Sequence, residues 1–187
     1  MLNSQAQNVF DTFSSVLDYP NANTNHMIEE CLVLLKDHAP KSVGPYTKFK
    51  DVLLSKKVSE LEELYTRTFD VTAICHLDVG YVLFGEDYKR GAFLVEMSQL
   101  LKRCGVCPGT ELADFLPNIL KVIPRMGNTT EKKDLIKKIL IPAVSKMEES
   151  FQGSDNEGSS YKYALKSVNL LLLAELNHCK KMERGQS

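Results

Sequence analysis

The sequence predicts an all-α fold, and three observations carry that expectation. Apolar residues recur at three- and four-residue steps through almost the whole chain, the spacing that lines up side chains on one face of an α-helix. Alternating apolar and polar runs bounded by turn dipeptides, the mark of half-buried strands, are missing. Prolines, glycines and capping residues punctuate the periodic segments at helix-length intervals. Together they describe a single-domain bundle of about nine helices around one core. No repeat of solenoid length is visible.

Each element follows from its residues. Val9, Phe10, Phe13, Val16 and Leu17 form the stripe of a first helix that ends near Tyr19-Pro20. Thr24 is placed to cap a second helix carrying Met27, Ile28, Cys31, Leu32 and Leu35, which stops at His38-Ala39-Pro40. Pro45 suits a first helical turn, before Tyr46, Phe49, Val52 and Leu53. Ser59 and Glu62 have capping-box spacing ahead of Leu61, Leu64, Tyr65 and Thr68. Leu77 to Phe84 reads as helix, closed by Gly85. Glu86 or Asp87 starts a long helix through Phe93, Leu94, Met97, Leu100 and Leu101, ending at Gly105. Pro117 opens a helix with Ile119, Leu120, Val122 and Ile123. Thr130 caps the next, which holds Leu135, Ile136, Ile139, Leu140 and Met147 and is kinked by Pro142. Residues 152–160 read as a flexible polar loop. A final helix then presents Tyr161, Ala164, Leu165, Val168, Leu171 and Leu172.

Composition bounds the function. The chain has 187 residues, 43% hydrophobic and 25% charged, enough for one domain to bury a core without staples. Lys plus Arg number 23 against 24 Asp plus Glu, a net charge of −1, which offers no surplus for holding nucleic acid through its phosphates. The longest aliphatic stretch, Leu170 to Ala174, is far short of the roughly 20 residues that span a bilayer, so no membrane insertion is expected. The N-terminus lacks the pattern of a secretory signal. Five cysteines without a framework (Cys31, Cys75, Cys104, Cys107, Cys179) point to a reduced, cytoplasmic chain.

Catalytic chemistry finds little support. Cys104-Gly-Val-Cys107 stands at the end of a predicted helix, where the dipole disfavours a thiolate. It has neither a preceding strand nor the two further ligands that a structural zinc requires. A dithiol oxidoreductase on Cys104 and Cys107 is therefore the enzyme alternative, against a loop with two incidental cysteines. His26, His38, His76 and His178 have no metal-ligand spacing, and no phosphate loop or nucleophile elbow occurs. No catalytic residue, metal or cofactor is expected.

Charge is more informative. Glu60, Glu62, Glu63, Asp70, Asp78, Glu86 and Asp87 face one base, Arg67, in the same segment. Lys121, Arg125, Lys132, Lys133, Lys137, Lys138 and Lys146 face only Glu131 and Asp134 in theirs. Most of these are solvated helix faces. Asp70 and Asp78 differ in sitting among aromatic and aliphatic residues, where a carboxylate can take an incoming arginine by two parallel hydrogen bonds.

The central third resembles a known family. Leu64-Tyr65-Thr66-Arg67-Thr68-Phe69-Asp70, His76-Leu77-Asp78, and Leu83-Phe84-Gly85-Glu86-Asp87-Tyr88-Lys89-Arg90-Gly91 are similar to stretches of the NarJ branch of the TorD/DmsD/NarJ assembly chaperones of molybdenum oxidoreductases. Glu111-Leu112-Ala113-Asp114-Phe115-Leu116-Pro117 resembles that family's Glu-Leu-Pro-Asp-His-Leu-Pro stretch, with Ala113 for proline and Phe115 for histidine. The resemblance implies a non-enzymatic, all-helical chaperone, monomeric or weakly dimeric. It implies as partner the catalytic subunit of a molybdopterin oxidoreductase, of nitrate reductase type. Such a chaperone binds the apo-subunit through an N-terminal leader or its remnant and holds it for cofactor insertion before membrane docking or export. Tyr65, Phe69, Asp70, His76, Asp78, Tyr81, Phe84, Arg90 and Asp114 are the expected client-peptide residues, with Arg90 also able to pair with Glu86 one turn earlier. Phe115 neither donates a hydrogen bond nor titrates, so a role carried by histidine in relatives has no carrier here. A structural helical subunit of a larger complex is the third alternative.

Overall fold

The computed structural model describes residues 8–71, 73–153 and 159–184. Its elements are α1 (Val9–Val16), α2 (Thr24–His38), α3 (Val43–Leu53), α4 (Val58–Phe69), α5 (Val79–Phe84), α6 (Tyr88–Arg103), α7 (Leu116–Val122), α8 (Thr130–Asp134), α9 (Ile141–Glu149) and α10 (Ser160–Arg184). A π-helical stretch, Leu135–Leu140, joins α8 to α9 into one rod. The molecule is all-α, and the described residues hold nine such rods and no strand beyond one isolated bridge.

The apolar stripes explain the packing. α10 lies against α3 and α9, α1 against α2 and α7, and α5 against α6 and α9. The buried residues form one continuous cluster. On α10 the stripe predicted from spacing (Tyr161, Ala164, Leu165, Val168, Leu171, Leu172) is entirely buried. Each such aliphatic side chain contributes about 1.5–3 kcal/mol by leaving water.

Helix starts differ in detail from the sequence reading. Asn23 precedes α2, while the Thr24 hydroxyl accepts from Asn21 N at 2.8 Å and braces the turn before the helix. α4 begins two residues early, with the Glu60 carboxylate accepting from Lys57 N at 2.7 Å. Ser59 and Glu62 are thus already inside the helix. Thr129 rather than Thr130 caps α8, accepting from Lys132 N at 3.1 Å. Asp87 caps α6 by accepting from Lys89 N at 2.9 Å. Near Pro142 the rod departs from α geometry, the π turn Leu135–Leu140 standing immediately before Ile141-Pro142, where proline supplies no backbone N–H. Of the polar loop, Gln152 and Gly153 form a turn, and the rest of the expectation lies outside the described residues up to residue 159.

One departure shapes the site. Leu77 and Asp78 are extended rather than helical, and Asp78 pairs antiparallel with Phe115 in the single bridge. Val79 N donates to Asp114 O at 2.8 Å and Leu116 N to Leu77 O at 2.8 Å. The chain entering α5 is thereby stitched to the chain entering α7.

Candidate functional site

The stitch holds Asp114 beneath the first turn of α5. Its side chain is 0% exposed, and Oδ2 accepts from Gly80 N at 3.1 Å and from Arg90 Nε at 3.3 Å. A buried carboxylate needs such partners, since an uncompensated one costs several kcal/mol. Gly80 permits the approach. A Cβ there would lie 2.7 Å from Asp114 Oδ2 and 2.8 Å from Phe93 Cδ1, inside any real contact. Gly85, with φ +63°, ends α5 and donates to Tyr81 O at 2.7 Å.

Arg90 reaches outward from this anchor. Its Nη2 lies 3.9 Å from Asp78 Oδ1, and its guanidinium stands over the Tyr81 ring at 5.3 Å. Tyr81 meets His76 edge-on, ring centroids 4.6 Å apart. His76, Asp78, Tyr81 and Arg90 thus form one half-buried cluster on the deeper Asp114. The expected pairing of Arg90 with Glu86 does not form. Glu86 precedes the Asp87 cap and is exposed, whereas Arg90 is drawn inward by the two aspartates.

Asp78 is only weakly satisfied. Burial and the neighbouring Asp114 push its carboxyl above the usual range, against the opposing pull of Arg90 and His76. Glu111 is also raised, first by partial burial and then by Asp78, Asp18 and Asp70. Those four acids come from four connections: the α1–α2 turn, the end of α4, the start of α5 and the α6–α7 loop. Asp18, Asp70 and Asp78 all lie within electrostatic reach of Glu111. Tyr19 and Leu112, each next to one of these acids, are 49% and 51% exposed there. The surface is acidic with apolar projections.

The remaining expected residues divide. Tyr65 and Phe69 are buried, in contact with each other and with Tyr161, and the Tyr65 hydroxyl donates to Leu17 O at 3.3 Å. Burial pushes the Tyr65 hydroxyl far above its ordinary range. Tyr65 is covered on its outer side by Tyr19, at 5.5 Å. Asp70 is exposed at the C-cap of α4. Phe84 is half-buried against Phe93. Asp18, Tyr19, Glu111 and Leu112 were not anticipated as site residues. The shared signal is an acid followed directly by a large apolar residue in an interhelical turn.

The cysteine pair lies elsewhere. Cys104 is the C-cap of α6, and burial pushes its thiol up rather than down, opposite to the shift that makes a reactive thiolate. Cys107 is exposed and both are free. Among the described residues no group of three or more His, Cys, Asp or Glu is placed to hold a metal ion. No described helix is long and apolar enough to cross a membrane.

The class defined by the fold is an all-helical bundle whose short helices meet in an acidic, stitched corner. Among solved structures, it is similar to the crystal structure of a proposed redox enzyme maturation protein from Archaeoglobus fulgidus, with a TM-score of 0.58 and 15% identity over 90% of this chain and 97% of that one. The two share a fold across nearly their whole lengths. No protein-family profile and no curated protein matches the sequence.

Proposed function

We propose that this protein is a redox enzyme maturation chaperone that binds the N-terminal segment of a molybdenum oxidoreductase catalytic subunit, of nitrate reductase type. It forms one domain, acts without catalysing a reaction, and holds the subunit for cofactor insertion before docking or export. The single observation that carries this reading is the convergence of Asp18, Asp70, Asp78 and Glu111 beside exposed Tyr19 and Leu112. The maturation-protein name of the Archaeoglobus fulgidus neighbour supports it, as does the resemblance of the central segments.

The chemistry suits a basic, apolar segment. Burial and neighbouring carboxylates raise the proton affinity of Asp78 and Glu111, and an incoming arginine relieves that repulsion by pairing with them. Asp78 is the best placed, since its contact with Arg90 is long and a client guanidinium can replace it. Tyr81 and His76 offer ring faces and edges beside it, where an arginine can stack. Tyr65 and Phe69 act from behind, by holding this wall in place.

The test is co-purification from the native host, followed by titration with a synthetic peptide copying the recovered subunit's N-terminus. Recovery of a molybdoenzyme subunit and binding at micromolar affinity or tighter are the expected results. Recovery of no such subunit refutes the assignment.

A further inference from the structure

We infer that copies of this chain associate head to tail, the acidic end of one docking in a basic groove at the far end of the next. The groove, about 570 Å³, lies where the end of α2 and the Pro40 turn meet the last turns of α10. Leu170, Leu173 and Ala174 floor it along one face of α10, with Leu173 43% exposed. Its ionisable lining residues are His38, Lys41, His178 and Lys181, with no carboxylate among them.

The geometry separates this groove from the acidic surface. α2 begins just after the Asp18 turn and ends at His38, 15 residues on, which is about 22 Å of helix. α10 starts with Tyr161 against Tyr65 and Phe69 behind the acidic face, and Lys181 lies about 30 Å further along its axis. One copy therefore cannot satisfy its own groove. A second copy offers it matched chemistry: the dipeptides Asp18-Tyr19 and Glu111-Leu112 each join a carboxylate to an exposed apolar side chain. Tyr19 and Leu112 cover the Leu170–Ala174 floor while Asp18 and Glu111 meet Lys41 and Lys181 at the rim. The net charge of −1 sets up almost no overall repulsion between copies, a condition that favours association. The contact is heterologous, so it builds rings or open chains rather than twofold isologous dimers. It also masks the acidic surface, and this last consequence alone rests on the client reading above.

Sedimentation of the full chain at rising concentration tests it. In low salt the weight-average mass should climb above the 21.0 kDa of one copy. In about 1 M salt, where the Debye length is about 3 Å, it should return to one copy. The double variant Lys41→Glu/Lys181→Glu and the double variant Asp18→Lys/Glu111→Lys should each associate at least tenfold more weakly. Mixing the two restores both complementary contacts and should restore the larger species, which also shows that each variant is folded. A single-copy mass at every concentration in low salt overturns the inference. So does association that survives high salt or either double variant, or a mixture that stays at one copy. A single-copy protein that binds client peptide refutes the self-association alone, and a polymer that ignores the peptide refutes the client reading alone.

Discussion

Two neighbouring regions are built from the same kinds of residue and differ in what solvent can reach. Behind the site, Tyr65, Phe69 and Tyr161 are packed ring on ring and almost wholly removed from solvent. In front of it, His76 meets Tyr81 edge-on and Arg90 stands over the Tyr81 ring, with part of each side chain accessible. The aspartates divide in the same way. Asp114 is sealed and bonded to Gly80 and Arg90, while Asp78 keeps 30% of its side chain exposed and a contact of 3.9 Å. An aromatic ring or a carboxylate is structural when a distant helix closes over it, and addressable when nothing does.

The largest effect that tests this division belongs to the rear. Phe69→Ala should cost about 3–5 kcal/mol of stability in denaturant unfolding, with peptide affinity unchanged where the variant remains folded. A loss of affinity larger than the loss of folded protein would move Phe69 to the front. Asp114→Ala should cost about 3 kcal/mol, because it strips Arg90 of its nearest buried partner. Gly80→Ala should follow at about 1–3 kcal/mol, through the clash with Asp114 and Phe93.

Asp78→Asn should behave in the opposite sense. The folded-state pKa of Asp78 is raised, so its ionised form is less favourable in the folded protein than in the unfolded chain. That cost is present above the folded pKa and disappears as pH falls through it. Removing the charge should therefore leave stability at neutral pH unchanged or slightly higher, while peptide affinity falls several-fold. Affinity of the unsubstituted protein should likewise decline as pH is lowered through the raised range of Asp78 and Glu111. Calorimetry in two buffers of different ionisation enthalpy would register proton release on binding. The smallest effect should be that of Cys107→Ser, within about 0.5 kcal/mol in stability and none in binding. Lost binding there would revive the dithiol alternative.

The helices were legible because their stripes are local. The α10 stripe needs only its own spacing, and the start of α6 was narrowed to Glu86 or Asp87, of which Asp87 is the cap. Starts set by one hydrogen bond slipped, as at Lys57–Glu60 and Thr129, because several oxygens in each stretch compete for the same amides. The extended Leu77-Asp78 segment was read as helix, since its apolar spacing permits one and its bridge partner, Phe115, is distant in sequence. The clustering of the candidate residues was legible in part for the same reason. His76, Asp78, Tyr81, Arg90 and Asp114 are brought together, but the burial of Tyr65 and Phe69 depends on Tyr161, far along the chain. Asp18 and Glu111 carry only the weak shared signal of an acid before a large apolar residue, and the fold alone brings their two loops near each other.

The most direct measurement is a calorimetric titration of the client subunit's N-terminal peptide into the protein and into an Asp18→Asn/Asp78→Asn/Glu111→Gln variant, each at low and high salt. An addressable acidic corner predicts tight binding to the unsubstituted protein that weakens with salt and drops at least tenfold in the variant. Equal affinity for both proteins, or binding indifferent to salt, would contradict it.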